Sequence, residues 1–147
     1  MNVSEIMTTG PACCTRDTNL REVARMMVEN HCGVIPVVKA PEDQELVGVI
    51  TDRDIVYRLI AEDKNPLEMS AGQCMTDTIV AISADASLEE CARLMEEHQI
   101  RRVPVVDSSG KCRGVVSQAD LAQYGPTGMT SHVVKEVSVP TEEAAGL

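Results

Sequence analysis

The chain has 147 residues, a formal net charge of −10 and a sequence pI near 4.7, which is length enough for one compact domain or for two small halves sharing a core, the arrangement favoured below. The acidic field and the lack of a basic stripe argue against nucleic acid and anionic membrane as partners, and with Tyr57 and Tyr124 as the only aromatic residues there are few rings on which bases could stack. No stretch approaches the roughly 20 apolar residues of a membrane span, and Met1 to Met7 lacks a basic segment followed by an apolar run, so the expected location is the cytoplasm.

In chain order, a short extended piece, Pro11 to Thr15, precedes Asn19-Leu20-Arg21-Glu22, an approximate capping box that starts a helix. Leu20, Val23, Ala24, Met27 and Val28 follow the i, i+3, i+4, i+7, i+8 spacing of a buried helix face. Two apolar runs, Val34 to Val38 and Leu46 to Ile50, are joined by a polar turn and predict a hairpin. A last helix is expected from Thr51 to about Ala61, and Asn65-Pro66 to Gly72 reads as a linker with room for a helical turn.

The same order then returns. Ile79 to Ser83 is extended, Ser87-Leu88-Glu89-Glu90 is a strict capping box, and Leu88, Cys91, Ala92 and Met95 mark a helix face. Val103 to Val106 and Gly114 to Val116 predict a second hairpin, and a helix from Ser117 to Tyr124 is stopped by Gly125-Pro126. Met7-Thr8 falls on Met75-Thr76 at a shift of 68 residues, and the register holds through Pro36-Val37-Val38 on Pro104-Val105-Val106. After the hairpin turns the shift is 66, Gly48 on Gly114, because the first turn is two residues longer. With about a dozen identities in so short a window, this is an internal repeat. The boundaries follow as 1–65 for the first repeat, 66–74 for the linker, 75–126 for the second repeat and 127–147 for a tail, in which Val133, Val134 and Val137 have the character to dock and Pro140 to Leu147 that to fray.

The chemistry concentrates where each hairpin ends. Gly48-Val49-Ile50-Thr51-Asp52-Arg53-Asp54 and Gly114-Val115-Val116-Ser117-Gln118-Ala119-Asp120 are each a buried strand ending at a hydroxyl residue, with a carboxylate three positions on. The exposed amides of a first helical turn, beside one hydroxyl and one carboxylate, suit a ligand rich in hydroxyls such as a ribose. The same spacing also serves as a plain helix cap with no ligand. Arg101 and Arg102, taken by themselves, read as solvated residues at a strand entrance that pair with Glu96 or Glu97. The six cysteines include no Cys-x-x-Cys pair and are expected to be reduced and mostly buried, and His31, His98 and His132 lack metal-ligand spacing.

In combination, the Met-Thr opening, the Pro-Val-Val strand and the Gly-apolar-apolar-Thr/Ser-x-x-Asp ending, each present twice over residues 5–124, resemble a pair of cystathionine-beta-synthase (CBS) domains, the tandem arrangement called a Bateman module. With Thr51-Asp52-Arg53-Asp54 and no catalytic domain in view, the chain is similar to stand-alone bacterial stress or hypoxia-response proteins of that family. The resemblance implies an α+β fold in which each repeat is a small three-stranded sheet with two helices. It further implies that the repeats pack about a pseudo-twofold axis, that two chains form a homodimer, and that adenosine-containing ligands such as AMP, ADP, ATP or another adenosyl compound bind between the repeats. Carried onto this sequence, one site comprises Asp120 for the ribose, Ser117 beside it, Arg101 and Arg102 as phosphate clamp, and backbone near Ala12 and Cys32 against adenine. A weaker second site comprises Asp54, Thr51, and backbone near Val80 and Ile100; its clamp positions hold Gly33 and Val34, which Arg53 would partly replace.

The expected function is therefore a non-enzymatic regulatory module that needs no cofactor or metal, binds an adenine nucleotide and in response changes its packing or its contacts with a partner that the sequence does not identify. The alternatives are a ligand-free interaction module and a thiol-based redox sensor using Cys32, Cys74 or Cys112.

Overall fold

The computed structural model describes residues 1–77 and 79–125. The expected tail at 127–147, with Val133, Val134 and Val137, lies outside the described residues, as does Pro126.

The order of elements is α1 (Val3–Ile6), β1 (Thr8–Thr9), α2 (Leu20–Glu29), β2 (Val34–Ala40), β3 (Asp43–Thr51) and a helical segment, α3, that begins at Asp52–Asp54. Two 3-10 turns, Pro66–Glu68 and Ala71–Gln73, form the connection to β4 (Ile82–Ser83), α4 (Leu88–His98), β5 (Arg102–Val106), β6 (Cys112–Ser117) and α5 (Gln118–Tyr124). This is a mixed α+β architecture with the element order repeated, as the internal repeat predicts.

Each hairpin forms where expected. β2 and β3 pair antiparallel with Ile35 opposite Ile50, and β5 and β6 pair antiparallel with Val103 opposite Val116. The registers correspond: Val34 faces Thr51 in one repeat and Arg102 faces Ser117 in the other. The extended pieces also correspond, since Cys14 bridges to Val37 and β4 pairs with β5, both parallel.

The helix caps follow the sequence in detail. The strict box is closed at α4, where Ser87 Oγ accepts from the Glu90 amide at 3.1 Å and Glu90 Oε2 accepts from the Ser87 amide at 2.8 Å. The approximate one is half a box: Asn19 Oδ1 accepts from the Arg21 amide at 2.8 Å, with no return bond from Glu22. α3 differs from the uniform helix expected to Ala61. After Asp54 it widens into a π turn over Ile55–Leu59 and then tightens into a 3-10 turn over Ile60–Glu62, ended by Asp63 at φ 60°. Such a widened turn changes which way side chains point, and here it carries Leu59 into the core while Arg58 lies beside Asp54.

The two repeats exchange their openings. β1 pairs with β6 of the second repeat, and Thr76 bridges to Val49 of the first. α1 is carried across as well: the amides of Val3 and Ser4 donate to the carbonyls of Ala86 and Ala84, and Val3 and Ile6 are buried among Leu88, Met95, Val103 and Leu121. The second sheet consequently has four strands in the order β1-β6-β5-β4. A matching core under the first hairpin joins Leu20, Val23, Ile35, Ile50 and Leu59 to Ala71 and Cys74 of the connection. Between the two lies a small shared cluster of Val38, Leu46 and Cys112, with Cys13, Ala81 and Val106 against it. Each fully buried leucine, isoleucine or methionine contributes about 1.5–3 kcal/mol of transfer free energy, so neither repeat can give up the other's opening cheaply.

Candidate functional site

Residues brought from both repeats surround a cleft of about 710 Å³. That is within the range of about 300–1,000 Å³ typical of small-molecule sites. Ala12, Cys32, Arg101, Arg102, Ser117 and Asp120, grouped in the sequence as one site, all line it.

The wall from the second repeat is built at the end of β6. Ser117 is the N-cap of α5, with Ser117 Oγ accepting from the Asp120 amide at 3.1 Å and Asp120 Oδ2 accepting from the Ser117 amide at 2.8 Å. The capping role is thus real, and it fixes the carboxylate and hydroxyl without sealing them off: both residues stay half-buried in the cleft wall. Arg101 is held by its backbone, whose carbonyl accepts from the Gln118 amide at 2.8 Å, and Arg102 sits opposite Ser117 in the hairpin register. Both arginines are exposed.

The opposite wall comes from the first repeat. It includes Thr8, Thr9, Asn30 and His31, none of which the sequence grouped with the site, beside Ala12 and Cys32, which it did. His31 adopts φ 50°, a left-handed conformation also taken by Gln99 (φ 52°), its counterpart in the repeat, so both helix ends turn in the same way. The 68-residue shift carried that signal, because it places His31 and Gln99 at matching helix ends.

The five residues grouped as a second site are not brought together in the same way. Thr51, Val80 and Ile100 line a narrow crevice together with Val34, Val49, Arg102 and Pro104. Asp54 is only 1% exposed, with Oδ2 accepting from the Thr51 amide at 3.0 Å and Oδ1 lying 3.6 Å from Arg58 Nε. Burial pushes its carboxyl above the ordinary value, against the Thr51 hydrogen bonds and the Arg58 charge, which pull it down. Arg53 is exposed and turned to Tyr57, with Nη2 donating to the phenol oxygen at 3.0 Å and the guanidinium 4.4 Å from the ring centre. A Cβ on Gly33, the position matching Arg101, would lie 2.7 Å from Asp52 Oδ2, the far end of an exposed side chain that would have to move. The residue matching Asp52 in the second repeat is the neutral Gln118.

Cys14, Cys74, Cys91 and Cys112 are buried, Cys13 and Cys32 are half-buried, and all six are free thiols. No described helix is long and apolar enough to cross a membrane.

An internal repeat whose two copies together wall one cleft is the arrangement of a paired regulatory module, and comparison with known proteins agrees. The family model of the CBS domain matches residues 3–61 and again 71–126, and the chain belongs to that family as a CBS pair. It is 36% identical over 136 residues to hypoxic response protein 1 of Mycobacterium tuberculosis, covering 92% of this chain and 93% of that one. A crystal structure of hypoxic response protein I superposes with a TM-score of 0.77 at 35% identity over 86% of this chain and all of the other. That structure holds two coordinated zinc ions, whereas among the described residues here no three or more His, Cys, Asp or Glu side chains gather as a metal would require. The chain is also 40% identical over 121 residues to YlbB of Bacillus subtilis, covering 82% of this chain and 79% of that one. CBSX2 of Arabidopsis thaliana in complex with AMP superposes with a TM-score of 0.69 at 26% identity, over 83% of this chain and 93% of the other.

Proposed function

We propose that the chain is a non-catalytic sensor that binds one adenine nucleotide of the AMP, ADP or ATP class in the cleft between its repeats. The observation that carries this reading is the meeting of Arg101, Arg102, Ser117 and Asp120 from one repeat with Ala12 and Cys32 from the other around a single cleft of about 710 Å³. Two guanidiniums suit a phosphate, each charge-assisted hydrogen bond contributing about 1.5–3 kcal/mol. Asp120, with Oδ2 engaged in its cap, offers Oδ1 to ribose hydroxyls, and the segments of Ala12 and Cys32 border the base. The AMP complex of CBSX2 supports the ligand class. The first-repeat site, whose clamp positions hold Gly33 and Val34, is left without a phosphorylated ligand in this reading.

Regulation follows if the ligand prefers one packing of the repeats, or one set of contacts with a protein partner, over another; equal affinity for both would shift nothing. We place this module in the cytoplasm as a homodimer.

The test is isothermal titration of AMP, ADP, ATP, S-adenosylmethionine and NADH into the reduced protein, with Arg101→Ala and Asp120→Ala beside it. Binding of one phosphorylated ligand at one per chain, lost or weakened at least tenfold in both variants, supports the reading. No heat from any ligand, together with unchanged melting temperatures, refutes it.

A further inference from the structure

Two thiols from different repeats meet in the small cluster that joins the hairpins. Cys13 follows Ala12 in the extended piece of the first repeat, Cys112 opens β6 of the second, and both pack with Val38 and Leu46. Cys13 Sγ donates to the Pro11 carbonyl oxygen at 3.3 Å and Cys112 Sγ to that of Gly114 at 3.7 Å. Around them the backbone is tied across the repeats, since Glu45 bridges to Lys111 and the Leu46 amide donates to the Gly110 carbonyl at 3.1 Å. The other four thiols are placed elsewhere. Cys14, next in an extended chain and so on its opposite face, lies in the first core with Cys74, Cys32 packs against that core, and Cys91 lies in the second core.

We propose that Cys13 and Cys112 are a redox-modification site, closing a reversible disulfide between the repeats when the protein meets a hydroperoxide. The two thiols are unlike: the neighbouring Cys13 thiol holds the Cys112 sulphur below the ordinary thiol range, while Cys112 and burial raise Cys13, which keeps its proton. The Cys112 thiolate attacks one peroxide oxygen, the O–O bond breaks, and hydroxide leaves to take up the proton that Cys112 had released. The Cys13 sulphur then attacks the sulfenic sulphur of Cys112; the S–O bond breaks, the S–S bond forms, and the hydroxyl leaves with the Cys13 proton as water. Two thiols lose two electrons and one hydroperoxide is reduced, with hydrogen peroxide itself giving two waters. Cys112 is 5% exposed, so access is by way of half-buried Cys13 and suits a small oxidant better than a protein disulfide.

The cross-link would close a loop of about a hundred residues, the case in which restricting the unfolded chain stabilises most. It would also pin the segment carrying Ala12 to β6, whose end carries Ser117, so two walls of the cleft would lose freedom to move apart. The pairing does not depend on what the cleft binds.

The experiment treats the full reduced chain with a few equivalents of hydrogen peroxide and follows intact mass, the non-reduced tryptic map and melting temperature. Expected are loss of two hydrogens reversed by dithiothreitol, a peptide ending at Arg16 linked to one beginning at Cys112, and a melting temperature raised by about 10 °C. Cys13→Ser and Cys112→Ser each abolish all three, whereas Cys32→Ser retains them. A two-hydrogen loss that survives in Cys13→Ser, a cross-link between chains, oxygen addition without a disulfide, or six thiols still open to alkylation would overturn the proposal. Should Cys112→Ser fail to fold, Cys13→Ser and the peptide map of the unsubstituted chain decide the matter.

Discussion

Gly114 of β6 lies against Met7 of the exchanged opening so closely that a Cβ on the glycine would sit 2.6 Å from Met7 Sδ and 2.7 Å from the Thr8 carbonyl oxygen. Gly48 repeats the relationship with Met75 Sδ at 3.0 Å and the Thr76 carbonyl oxygen at 2.8 Å. The glycine of the strand motif and the Met-Thr of the opening, far apart within a repeat, are thus two halves of one contact between repeats. Gly114→Ala should destabilise the chain by about 1–3 kcal/mol, because the obstructing atom is backbone and cannot rotate away. Urea denaturation checks this. Since Thr8 and Thr9 line the cleft, the same variant should also weaken ligand binding.

The internal repeat made the fold legible: hairpins, capped helices and paired ends follow from local pattern, whereas the grouping of the six cleft residues comes from the family resemblance. What the sequence concealed is long-range. Nothing in Val3 or Ile6 says that their helix is buried in the other repeat, and nothing in Arg53 says that it stacks on Tyr57 rather than turning to a ligand. Thr51-x-x-Asp54 and Ser117-x-x-Asp120 read alike, yet Asp54 is buried beside Arg58 whereas Asp120 stays half-buried in the cleft wall, a difference made by contacts of side chains rather than by the motif.

The two arginines should divide the ligand chemically. Replacing Arg102 by Ala removes a partner for the phosphate but none for the nucleoside, so affinity for AMP should fall by about 10- to 100-fold while affinity for adenosine changes little. Titrating both ligands into both proteins measures this directly. Equal loss for the two ligands would show that Arg102 shapes the cleft instead of holding the phosphate.

Asp54 should leave a signature in stability against pH. Its folded-state pKa is raised above the ordinary 3.8 by burial, so the native chain binds more protons at this site than the unfolded chain in a window opening just above pH 4. In that window the contribution of Asp54 to stability falls as pH rises through its folded pKa, and above it the cost of burying the charge is fully present. Asp54→Asn keeps an acceptor for the Thr51 amide and removes the titration. The difference in unfolding free energy between variant and parent should therefore move in favour of the variant as pH is raised from 4 to 7, as urea melts at several pH values would record.

The outer face of α3 sets the last expectation. Val56 and Ile60, one turn apart, are 49% and 54% exposed, and Tyr57 beside them is 50% exposed. Apolar side chains adjacent on one helix face cost little in isolation, but together they make a patch of the kind that protein contacts cover. In the homodimer proposed above this face supplies part of the contact. Ile60→Glu would set a carboxylate on each side of that contact and so should shift the chain from dimer to monomer by light scattering. The melting temperature at low protein concentration should then be nearly unchanged, because the side chain packs against no core of its own chain. A variant that stays dimeric would place the contact on another face.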